Sequence, residues 1–132
     1  MQTFLPYPGF AESCSVLDTR RLGKQRVESY QILRALMGES RGWANHPATR
    51  MWSGYDRALR NYLRENIVEW IGRGYRNTMA IPDHDPDAPL PPWIGRVDLH
   101  ASHRSNLLRK EPEYYGRFGW SEPPDLPYVW PT

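Results

Sequence analysis

The chain has 132 residues, a formal net charge of +2 and a mean hydropathy of −0.74. Its length admits one modest core and a single domain over 1–132, its 17 aromatic residues exclude a mostly disordered chain, and its short apolar runs exclude a membrane-spanning helix. The single Cys14 excludes an intramolecular disulfide and a one-chain thiolate zinc site, and MQTFLPYPGF has no secretion-signal pattern, so a reducing, cytoplasmic setting is expected.

Residues 4–10 hold two prolines and a glycine and predict an extended arm. Ser15 followed by Asp18 reads as a helix start. From Leu22 onward, 100° steps put Leu22, Tyr30, Ile32, Leu33, Leu36 and Met37 on one side. Arg20, Lys24, Gln31 and Arg34 fall on the other, with Glu28 on the flank. Gly23 is a point of weakness inside this helix, and Gly38 ends it. Residues 39–47 form a loop carrying Arg41, Trp43, Asn45 and His46.

A second helix is predicted over about 48–72, where Trp52, Tyr55, Leu59, Tyr62, Leu63, Trp70 and Ile71 repeat at three- and four-residue intervals. Residues 81–95 contain five prolines and three aspartates and form a loop or lid. A third, shorter helix covers about 97–108. An aromatic segment and a proline-rich tail ending PYVWPT follow. No segment alternates as a strand does, so the expected fold is all-α: a compact three-helix domain with long irregular connections.

Charge is unevenly spread. Residues 1–81 carry a net +5 and residues 82–132 a net −3, and fifteen of the 17 cations are arginine. The planar guanidinium suits phosphate and stacks on bases. Arg20, Arg21, Lys24 and Arg26 therefore form either a phosphate-binding face or a solvated one. His100, His103 and Arg104 on the third helix offer further DNA contacts, and Tyr115 a ring for stacking or for the core. Two histidines without a third ligand make no metal site. No cofactor is expected.

Three stretches in order carry a resemblance. NHPATRMWSGYDRALRNYLRENIVEWIGRGY (45–75) resembles the long helix of the small phage-type pyrimidine-dimer DNA glycosylases, the endonuclease V type. VLDTRRLGKQRV (16–27) is similar to their basic first helix, and HRSNLLRKEPEYYG (103–116) to their closing helix. The chain also looks like a bacterial and phage branch of that superfamily that begins MQTFLPYP and ends PYVWP. The middle loop, 77–97, has no clear counterpart.

The resemblance implies a monomer acting on duplex DNA. It also implies a chemistry in which an amine attacks C1′ of a damaged nucleotide, expels the base and forms an imine. The family uses the α-amine of a Thr exposed by loss of Met, and a Glu directly after an Arg. Here residue 2 is Gln, the Thr is Thr3, and Arg21 stands at the Glu position. The remaining amines are those of Met1, Lys24 and Lys110, ranked in that order because α-amines release a proton some two to three pH units below lysines. The missing carboxylate falls to Glu28 or Asp18, with Glu28 also a possible i,i+4 partner of Lys24. His46 is read as an acid–base group or as a helix cap packed on tryptophan. Two functions remain open: a DNA glycosylase with or without lyase activity, and a DNA- or nucleotide-binding module of the same fold that has lost or exchanged the chemistry.

Overall fold

A computed structural model describes residues 1–131. Among them are six α-helices, one 3₁₀ turn and no strand: α1 (Phe10–Val16), α2 (Thr19–Leu36), α3 (Pro47–Arg50), α4 (Asp56–Gly72), α5 (Val97–Lys110), α6 (Pro112–Tyr115) and the turn Gly116–Phe118. The all-α expectation holds. The three long predicted helices are α2, α4 and α5, and three short ones are added.

The boundaries shift for local reasons. Ser15 lies inside α1 and starts nothing. Asp18 is the N-cap of α2, its carboxylate accepting from the Arg21 backbone N at 3.3 Å. The tract expected as one helix over 48–72 is two helices, because Gly54 turns left-handed at φ 83° between α3 and α4. The stripe read across that break is sound for Trp52, Leu59, Tyr62 and Leu63, which are buried, while Ile71 is exposed.

Helix α2 packs along α4, and Gly23 permits the contact. The helix runs through Gly23 unbroken, and a Cβ there would stand 2.8 Å from Trp70 Cζ3. The Trp70 ring is fixed by Tyr75 stacked at 4.5 Å, by the Arg26 guanidinium at 4.9 Å and by its Nε1 donating to Arg76 O.

The buried side of α2 differs from the predicted one. Tyr30 and Met37 are exposed, whereas Gln25 and Ser29 are buried between Leu22 and Ile32. Ser29 Oγ donates to Asn66 Oδ1 at 2.8 Å, and Asn66 in turn donates to Cys14 Sγ. Gln25 is occupied by the N-terminal arm, which runs through the middle of the molecule. The core joins Leu5 of the arm to Leu22, Ile32, Trp52, Leu59, Tyr62, Leu99, Leu107 and Tyr115.

Candidate active site

The arm is an extended segment with no strand beside it, so side chains must meet its backbone polar groups. Gln25 takes two of them: Oε1 accepts from Phe4 N at 2.7 Å, and Nε2 donates to Gln2 O at 2.5 Å. Tyr62 Oη donates to Phe4 O at 2.6 Å, and Trp52 Nε1 donates to Thr3 Oγ1 at 3.1 Å. Leu5 is held from both ends by α5. Its N–H donates to His103 Nδ1 at 2.8 Å, and its carbonyl oxygen lies 2.8 Å from His100 Nδ1. Gly95 N donates to His100 Nε2, so the proton of a neutral His100 is on Nδ1, facing Leu5 O. By the same reasoning His103 carries its proton on Nε2.

This clamp delivers residues 1 and 2 to a cavity of about 290 Å³. Its walls include Met1, Gln2, Arg20, Arg21, Lys24, Glu28 and Lys110, with Tyr128 closing one side. The Glu28 carboxylate is 16% exposed and accepts from Gln2 N at 3.2 Å through Oε2. Its Oε1 lies 3.8 Å from Lys24 Nζ, the predicted i,i+4 pair. One carboxylate thus faces both the start of the chain and the nearest lysine. Arg20 and Lys24 are exposed at the mouth, while Arg21 is turned toward Asp18 and Glu111. Lys110 comes from the last turn of α5. Burial, then Arg21, Arg109 and Lys24, lowers its ammonium pKa.

Met1, Lys24, Glu28, Arg20 and Arg21 therefore come together. His46 stands beside the cavity rather than in its wall. It caps α3, its Nδ1 accepting from Ala48 N at 3.0 Å, and it packs edge-on against Trp43 and Trp130. That capping bond commits its one free lone pair and leaves Nε2 as an N–H donor, which argues against a general base in this state. Partial burial, and next the N-terminal ammonium, lower its pKa.

The other expected contacts lie elsewhere. Arg26 turns away, donating to Asn77 Oδ1 at 2.6 Å over the Trp70 ring. His100 and His103 are buried against the arm and do not reach the surface. Arg104 is paired with Glu122 and donates to Pro6 O. Tyr115 is fully buried, hydrogen-bonded to the Asp18 carboxylate and stacked on Trp120 at 5.5 Å. All five side chains are engaged within the protein, and none of them lines the cavity. Asp18, tied to Arg21 and Tyr115, is not free to serve as the site carboxylate. Among the described residues no three His, Cys, Asp or Glu side chains gather as a metal group.

Sequence reasoning missed Gln25 and Tyr128 and placed Lys110 last among the amines. The signal for Gln25 was present: a carboxamide three residues after Leu22 on an apolar stripe demands a buried partner. Tyr128 carried no such signal.

A family model described as pyrimidine dimer DNA glycosylase matches residues 1–83. No curated protein and no solved structure shows a significant match to the chain. The matched span holds the arm, α2 and α4, including Met1, Arg20, Arg21, Lys24 and Glu28.

Proposed function

Because the chain belongs to the pyrimidine dimer DNA glycosylase family, we propose that it is a base-excision enzyme acting as a monomer on a damaged or modified base in duplex DNA, through an imine on its N-terminal amine. The observation that carries this reading is the meeting of Met1, Glu28 and a set of cations around one cavity. The neutral α-amine attacks C1′, and the glycosidic bond breaks with its electron pair leaving on the base, which takes up a proton. The nitrogen loses a proton, the C1′–O4′ bond opens, O4′ is protonated, and an imine remains. Removing a proton from C2′ then expels the 3′ phosphate, and water hydrolyses the imine to return the amine. Glu28 is the group in reach to stabilise the cationic sugar and to move these protons. Arg20 and Lys24 hold the backbone phosphates around the extruded nucleotide. Lys24 is the second-choice amine.

The binding-module reading draws on one observation: Arg21 stands at the position that the resemblance gives to the carboxylate, and it is neutralised by Asp18 and Glu111. One experiment separates the two. The protein is incubated with lesion-bearing, modified and abasic duplexes with and without borohydride, and any adduct is mapped to a peptide. A trapped N-terminal peptide supports the imine. Cleavage without an adduct means water is the nucleophile. Neither cleavage nor adduct on any duplex leaves a binding module.

A further inference from the structure

Two aromatic residues line the cavity, Phe4 of the arm and Tyr128, and the second comes from outside the family match. Residues 121–131 form a strap along α5. Ser105 Oγ donates to Pro123 O and accepts from Leu126 N, Asn106 Nδ2 donates to Leu126 O, and Val129 N donates to Ser102 Oγ. The Arg104–Glu122 pair at 2.7 Å fastens its start. Ser102, Ser105 and Asn106 are buried polar residues, and the strap supplies partners for all three. The strap is therefore built to hold one position.

What it holds is Tyr128. Its ring packs against Phe4 of the arm at 6.4 Å, His103 at 5.9 Å and Trp130 at 5.5 Å. It is half-buried and lines the cavity with Met1. A braced ring beside a cationic floor offers a π-face to a base while cations take the phosphates.

We propose that Tyr128 is a specificity-determining residue: the face on which the extruded nucleotide rests its base, held in place by the 121–131 strap. This rests on the reading that a DNA nucleotide enters this cavity. The arms of the test separate the two.

Full-length protein is titrated with two duplexes that differ at one position. One carries 2-aminopurine opposite a tetrahydrofuran abasic analogue, so that its base is easily extruded. The other has tetrahydrofuran at that position too, so no base is present. Wild type is expected to bind the base-bearing duplex about tenfold more tightly. Tyr128→Leu should lose that factor and leave binding of the base-less duplex unchanged, while Tyr128→Phe keeps both. Equal weakening on both duplexes, or no weakening, overturns the proposal. Should Tyr128→Leu fail to fold, 2-aminopurine emission with wild type decides: quenching on binding supports a stacked base, and a rise overturns it. Borohydride trapping on a natural abasic duplex reports separately on the amine, because that substrate has no base to stack. Trapping without base discrimination removes the role of Tyr128 and keeps the function; no binding to either duplex removes both.

Discussion

Acid should unfasten the arm, and His103 is the group to perturb. Its Nδ1 accepts from Leu5 N, so a proton on Nδ1 would set two donors face to face. Burial, with His100 and Arg104 adding positive charge nearby, pushes its pKa down to about 3. In an unfolded chain a histidine titrates near ~6.5. The folded value is the depressed one, so the unfolded state binds the proton first. The stabilisation is complete above about pH 6.5 and is lost as pH falls below it. At ~1.36 kcal/mol per unit, His103 alone costs the fold about 2 kcal/mol between pH 7.5 and pH 5. His100 is shifted in the same direction, chiefly by burial, and steepens the slope. The window lies above the carboxylate range, so the lowered Asp85 and Asp98 do not contribute to it. Urea unfolding at pH 7.5 and 5.0 gives the difference directly. His103→Asn keeps an acceptor near Nδ1 but cannot charge, and should remove about 2 kcal/mol of the pH dependence. An equal pH dependence in wild type and variant would refute the reasoning.

Gly23→Ala gains about 1 kcal/mol of helix propensity but drives a methyl into Trp70, for a net loss of up to about 2 kcal/mol in thermal unfolding; in a Trp70→Leu background the same change should stabilise. Arg20→Ala with Lys24→Ala should flatten the slope of log K against log[salt] on duplex DNA by about two units, and an unchanged slope would mark a merely solvated face. Glu28→Gln should leave DNA affinity within about twofold and lower cleavage by about 10²–10⁴, read in single-turnover assays. Burial pushes the Cys14 thiol up to about 12, so iodoacetamide at pH 8 should label it only after denaturation, which mass spectrometry of the intact protein will show.

The long helices were legible because α2, α4 and α5 repeat their apolar residues at helical spacing, and the 81–95 loop because prolines forbid anything else. Met1 and Lys24 stood out because amines are scarce in an arginine-rich chain, and the structure brings both beside Glu28 at one cavity. The arm's course was not legible. An extended segment has no period of its own, and the partners that hold it lie from 21 to 98 residues away. Its invisibility hid the rest: Gln25, His100 and His103 look like surface residues until a backbone is laid against them. The alternatives at Tyr115 and Arg26 stayed open for a similar reason, since a polar tip does not reveal whether it meets water, a carboxylate or an amide.

The threading of the arm has a consequence for how the molecule is made. Residues 1–6 leave the ribosome before their partners Gln25, Trp52, Tyr62, His100, His103 and Arg104. The arm must wait, unsatisfied, until α5 has been synthesised. Contacts spanning up to 98 residues in a helical protein raise its contact order, so arm docking should form a late, slow phase of refolding, after α2 and α4 have paired. Gln2, placed this way, reaches the Glu28 carboxylate only in a finished fold, and a nascent or partly unfolded chain carries the same groups without ever bringing them together.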